Sequence, residues 1–184
     1  LESSEQRVEP PCEYVARGCG GCDLQHASVS LQRHIKVDIV TESLTRLGKI
    51  ENPQVRLFES GELPVVAART TLRVASTDGG VGFRKRQSHD VVRITNCLVA
   101  HPSLNELLPD IRLDGAEEAV LRIGVASSER MAWAEPQDSV SGIASEVLTS
   151  RNSSVHEVID QHEFVVSAES FFQSSPQAAQ ALVD

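Results

Sequence analysis

Aromatic side chains are scarce: they make up 4% of the 184 residues, with a single Trp and a single Tyr. So few rings argue against a platform on which single-stranded bases stack. No run of roughly eighteen apolar residues exists, so no membrane-spanning helix is expected. No charged-then-apolar leader opens the chain, so no secretion signal is expected and a cytoplasmic location is. Positive charge is short as well, with 17 Lys and Arg against 26 Asp and Glu, a formal net charge of −9. Phosphate contacts need Lys and Arg, so any nucleic-acid reading requires a local basic face. What remains is ordinary: 40% hydrophobic residues can build a core and exclude global disorder. The length suits one domain, or one domain with a fragment of another, and a monomer is the simplest state.

Leu1 to Pro11 is polar, ends in Pro10-Pro11 and reads as a linker. Ser28 to Leu47 is the clearest helix. Leu31, Ile35, Ile39, Val40, Leu44 and Leu47 share a face, with Arg33, Lys36, Glu42 and Arg46 largely off it. Ser28 or Ser30 suits its N-cap, and Gly48 suits a left-handed C-terminal cap. From Val65 to Ile94 the period changes to two. Strands around Leu72 and Val74 and from Val81 to Arg86 would pair across a turn at Asp78-Gly79-Gly80, with Val91 to Ile94 as a third. A short helix is expected near Ser103 to Leu108. Ala119 to Ser127 and Arg130 to Glu135 read as a second hairpin with Leu121, Ile123 and Val125 on one face. Gln137 to Ser154 reads as loop, followed by strands at Val155 to Ile159 and Phe164 to Ser167. Ser175-Pro176 is a helix start, and Pro176 to Asp184 would be a helix too short to stand alone. The sum is an α+β fold with a mostly antiparallel sheet, a Cys-rich N-terminal loop and one long amphipathic helix.

All four cysteines enter one pattern: Cys12-x6-Cys19-x2-Cys22, then Cys97 after 74 intervening residues. Three lie within eleven residues, in a loop that also holds Gly18, Gly20 and Gly21. A Cys-x2-Cys pair places two sulfurs on one metal ion or cluster, and Cys97, just past a strand, would close the site. Four thiolates suit tetrahedral zinc and a 4Fe-4S cluster equally, and spacing does not decide. Four independent cysteines are the plain alternative. A redox Cys-x2-Cys sits at a helix start after a strand, whereas this one sits in a glycine-rich loop. The spacing also fails the Cys-x3-Cys-x2-Cys pattern of radical enzymes.

Arg7-Val8-Glu9-Pro10-Pro11-Cys12 and Cys19-Gly20-Gly21-Cys22-Asp23-Leu24-Gln25-His26 together resemble the start of the central domain of RNA (uracil-5-)-methyltransferases of the TrmA/RumA type. Gln32, Lys36, Arg69, Gly82-Phe83-Arg84, Ser88-His89 and Cys97 continue the match in order. Phe171-Phe172-Gln173-Ser174-Ser175 resembles the family's Phe-x-Gln-x-Asn entry to the catalytic domain, with Ser175 in place of Asn. The x6 spacing exceeds the five common among relatives.

The resemblance implies three parts: residues 1–26 as linker and cluster loop, 27–170 as a central α+β domain closed by Cys97, and 171–184 as the start of a Rossmann-like methyl-donor domain. It implies that Cys12, Cys19, Cys22 and Cys97 ligate a 4Fe-4S cluster and that Gln173 contacts S-adenosylmethionine. In the family's chemistry a cysteine thiolate adds to uracil carbon 6, carbon 5 takes the methyl group, and a carboxylate removes the proton. No cysteine follows Cys97, so this segment is expected to be inert by itself, with no catalytic residue of its own.

RNA, transfer or ribosomal, is the implied partner. The basic set expected to meet it is Arg84-Lys85-Arg86 with Arg69 and His89, flanked by Arg73 and Arg93. A solvated strand end is the plain alternative for such a run. His26 would either sit near the cluster or hydrogen-bond within the loop. Two rival readings stand beside the enzyme: a stand-alone zinc or iron-sulfur module that binds RNA or a protein, and an electron-transfer protein.

Overall fold

The computed structural model of the protein describes residues 4–57 and 63–183. Leu1 of the expected linker and Asp184 of the expected last helix lie outside them. The chain order is α1 (Glu13–Ala16), α2 (Val29–Arg46), β1 (Thr71–Thr77), β2 (Gly80–Arg84), β3 (Val91–Arg93) and α3 (Pro102–Asn105). There follow β4 (Arg112–Leu113), β5 (Glu118–Ile123), β6 (Arg130–Ala134), β7 (Val140–Ser141), β8 (Ser154–Ile159), β9 (His162–Ser167) and α4 (Pro176–Gln180).

Alternation in β1 and the Asp78-Gly79 turn produce the expected hairpin, and the second hairpin, β5–β6, joins it. The result is an antiparallel five-stranded sheet in the order β3-β2-β1-β5-β6. A pleated sheet has two faces. One bears Leu72, Val74, Val81, Val92, Leu121 and Ile123, which pack with Leu104, Leu107, Leu108 and Ile111 of the α3 region and with Tyr14 of α1. The other is divided. Toward β6 it is covered by the separate β8–β9 hairpin, where Met131 packs with Val155, Val166 and Ala168 and with the partly buried Trp133 and Phe172. Toward β3 it carries Arg73, Arg84 and Arg93, with Ala75, Gly80 and Gly82 buried between them.

Polar groups pin this hairpin to the sheet. The buried Glu157 carboxylate accepts the Val125 backbone N–H at 3.0 Å. Glu129 accepts both the backbone N–H and Nδ1 of His156, at 2.9 and 2.8 Å. Arg122, buried in β5, donates to the carbonyls of Ser167 and Ser170 at 2.6 and 2.8 Å and to Thr71 Oγ1 at 3.2 Å.

Several expectations need correction. The α2 helix starts as read, with Ser28 Oγ accepting the Leu31 N–H at 3.2 Å, but it buries no residue: Ile39, Val40 and Leu47 are all exposed. Its left-handed exit is Lys49, at φ 55°, and not Gly48. Val125 lies beyond the end of β5 and is exposed, because β5 is buried on both faces and stops at Ile123. The loop read at 137–154 contains the short β7, paired to β4. The last helix ends at Gln180 and is not adrift: Ala179 is buried, α4 packs on β8, and Gln180 Oε1 accepts the Asp160 N–H at 2.9 Å.

Truncation of Leu121, fully buried in the core, to Ala should cost about 2–5 kcal/mol in urea denaturation. Leu47→Ala, at a residue 80% exposed, should change stability by less than about 0.5 kcal/mol. A comparable loss at both positions would mean that α2 has a packed partner in solution.

Candidate cluster site and its neighbours

Three segments converge on the core-side edge of β2 and β3. The chain from Cys12 makes one turn of helix, α1, and Tyr14 drops into the core. The Tyr14 hydroxyl accepts the Thr95 N–H at 3.1 Å and lies 3.0 Å from Thr95 Oγ1, so α1 is riveted to the segment that follows β3. The Tyr14 carbonyl accepts the Cys19 N–H at 2.9 Å and so folds the loop back on itself. Gly20 then runs against β2, its N–H donating to the Arg84 carbonyl at 3.0 Å. A Cβ there would stand 2.6 Å from that carbonyl oxygen, so the loop can approach the strand this closely only with glycine.

Cys97 is held from the other side. Asn105, at the end of α3, accepts the Cys97 N–H at 2.8 Å and donates to the Cys97 carbonyl at 3.1 Å. No local pattern in the sequence marks Asn105 or Tyr14 for these roles, since their partners lie 8 and 81 residues away.

The outcome is one small cavity whose wall includes Cys12, Cys19, Cys22 and Cys97, together with Gln25, Arg69 and Phe83. All four thiols are free and half-buried. Burial pushes the Cys19 and Cys97 thiols up, and the neighbouring cysteines add to the shift. Among the described residues, no three Cys, His, Asp or Glu side chains are grouped closely enough to hold one metal ion. Tetrahedral zinc would need sulfurs about 2.3 Å from a common centre. The thiols thus share a cavity wall without closing on a point. The Gln25 Oε1 atom is buried with no hydrogen-bond partner.

The expected basic residues are dispersed. Arg84 donates to Glu118 at 3.0 Å, Lys85 Nζ lies 3.3 Å from Asp90, and Arg86 donates to Asp23 at 2.6 Å. His89 and Arg69 are exposed, and Arg69 alone of the set lines the cysteine cavity. Gln173 is exposed on a segment anchored on both sides, by Arg122 at Ser170 and by the Thr70 N–H donating to the Ser174 carbonyl at 2.7 Å. His26 contributes its carbonyl to the Val8 N–H at 2.9 Å.

No family model matches the chain. It is 36% identical over 149 residues to an uncharacterized RNA methyltransferase of Streptomyces avermitilis, covering 74% of this chain and 34% of that protein. It is 42% identical over 116 residues to the 23S rRNA (uracil(1939)-C(5))-methyltransferase RlmD of Halomonas elongata, covering 61% and 23%. The chain therefore spans about a third or less of the length of these relatives. Among solved structures it matches Pyrococcus abyssi tRNA (uracil-54, C5)-methyltransferase in complex with S-adenosyl-L-homocysteine. That match has a TM-score of 0.60 and 21% identity, over all of this chain and 51% of that one, a likeness of fold.

A thiol whose pKa is higher folded than unfolded keeps its proton more tightly in the folded state. The stability from Cys19 and Cys97 is therefore full below the ordinary thiol pKa of about 8.5 and is lost as pH rises through the folded value. In metal-free protein, iodoacetamide at about pH 7.5 should modify these two thiols more slowly than in the urea-unfolded chain, as read by peptide mass mapping. Equal rates would show that the cavity wall does not shield them.

Proposed function

We propose that the chain belongs to the RNA (uracil-5-)-methyltransferase family and forms the central, cluster-bearing segment of an enzyme making 5-methyluridine in transfer or ribosomal RNA from S-adenosylmethionine. The observation that carries this reading is the single cavity lined by all four cysteines of the chain. With every thiol committed to one wall, none is left in this segment to attack uracil carbon 6. The segment alone transfers no methyl group.

The donor set fits a 4Fe-4S cluster. Soft thiolates from a glycine-rich loop and from the end of a sheet suit iron-sulfur ligation. The orphaned Gln25 amide agrees: rotated by half a turn, it would present N–H donors to sulfur in place of an unpaired oxygen. Cys12, Cys19, Cys22 and Cys97 would hold the cluster, which when bound would supply a cross-link between the N-terminal loop and the sheet. Tyr14 and Asn105 position the two halves of that site.

Gln173 would offer its amide to the methyl donor. Its exposed side chain is bonded to nothing among the described residues, while the backbone on either side of it is fixed. The partition into residues 1–26, 27–170 and 171–184 follows from the same reading, as does a cytoplasmic monomer. No helix among the described residues is long and apolar enough to cross a membrane.

Anaerobic purification should give about four iron and four sulfide per chain, with visible absorption that bleaches in air. Cys97→Ser should lose the iron and lower the melting temperature. One zinc per chain and no colour would instead favour the stand-alone module.

A further inference from the structure

We propose that the arginine-bearing face of β1, β2 and β3 binds the RNA backbone through Arg73, Arg84 and Arg93, with Lys85, Arg86, Arg69 and His89 of the expected basic set left out. This inference rests on the RNA-methyltransferase reading for the identity of the partner, and the surface itself is derived from the sheet.

Strand register puts the relevant side chains on one face. Gly82 pairs with Arg93 across β2–β3, and Ala75 pairs with Gly82 and with Glu118. Arg73 pairs with Val120, which pairs with Trp133. Residues opposed across strands project to the same side, and neighbouring strands lie about 4.8 Å apart. Arg73, Arg84 and Arg93 therefore cluster on three adjacent strands, with Ala75, Gly80 and Gly82 buried between them. The Arg93 guanidinium lies over Gly80.

Charge singles this patch out on a protein of net charge −9. One carboxylate, Glu118, serves both Arg84 at 3.0 Å and Arg73 at 3.5 Å. Arg93 is exposed and has no ion pair among the described residues. Two cations thus share one anion and a third is unpaired among the described residues, while Lys85 and Arg86 are matched one-to-one by Asp90 and Asp23. The Arg73 side chain is 71% exposed, so its guanidinium can leave Glu118 for a phosphate. Arginine grips phosphate oxygens in pairs, and a polyanion spanning adjacent strands would release the counterions held there. The β8–β9 hairpin walls the far side of the face, with Trp133 at its foot. A backbone lying across the arginines would run along that wall.

Trp133 is the chain's one tryptophan, so the wall carries its own reporter. The experiment uses the full chain, anaerobically purified, and a labelled uridine-containing RNA stem-loop of about thirty nucleotides, read by anisotropy against salt. Arg73→Gln/Arg93→Gln should weaken binding about tenfold at low salt and flatten the log–log salt slope by about 1.5–2. Wild-type binding should also change Trp133 fluorescence, and that change should shrink in the variant. Lys85→Gln/Arg86→Gln should stay within about threefold of wild type, its partners already being satisfied. Matching melting curves establish that the surface variants are folded. If the loop variant weakens binding and the sheet variant does not, this face is wrong and the methyltransferase reading stands. Failure of the wild-type chain to bind the stem-loop, with iron still present, also overturns this surface and leaves the cluster assignment intact.

Discussion

A guanidinium buried without a carboxylate governs the arrangement of this molecule. Arg122 lies in the strand that is covered on both faces, and burial lowers its pKa. Desolvating a cation is costly unless its donors are used. Here they reach Thr71 in β1, the end of β9 at Ser167, and Ser170 beyond it. Those bonds fasten the β8–β9 hairpin over one end of the sheet and fix the approach to Gln173. The same hairpin packs on Met131 and the partly buried Trp133. The covered end of the sheet and the anchored Gln173 segment are thus two consequences of where one side chain finds its acceptors.

The sheet keeps two chemistries apart. On the core side, Tyr14 and Asn105 bring a glycine-rich loop and the end of β3 to one thiol-lined cavity. On the opposite side the strands present cations to solvent. Gly20 and Arg84 join the two, since Gly20 docks on the backbone of the very residue whose side chain crosses to the far face and meets Glu118. Arg69 is the cation at the thiol cavity, one residue before Thr70, which ties down Ser174. The cavity and the Gln173 segment therefore share one short stretch of chain as a common support.

The parts of this design that were legible in the sequence are those set by local rules. Ser28 caps α2, Asp78-Gly79 turns the first hairpin, and period-two burial of Leu72 and Val74 orients β1. The meeting of the four cysteines at one cavity was legible too, from a Cys-x2-Cys loop and a lone thiol just past a strand. What stayed hidden depends on distant partners. Nothing near Lys85 and Arg86 announces that Asp23 will reach Arg86 from the cysteine loop, and Asp90 pairs with Lys85 only after the chain turns. The apolar stripe of α2 predicts burial, yet whether a stripe is covered depends on which element packs there. β5 reads as a one-sided strand until the hairpin covers its second face.

The acidity that first weighed against RNA sharpens the argument for a single contact surface. A uniformly basic protein would attract phosphate everywhere, and the position of any one arginine would matter little. On a chain with 26 acidic residues, most of the surface repels a polyanion, and only a local excess of cations can reverse the sign. The Lys85 and Arg86 turn fails to supply one because each charge is cancelled at contact distance. The proposed β1–β3 face differs because antiparallel pairing sets three arginines from separate strands beside one another, with one glutamate that pairs with two of them. Sequence proximity concentrates charge only along the chain. Strand register concentrates it across the chain, at a spacing a phosphate backbone can span.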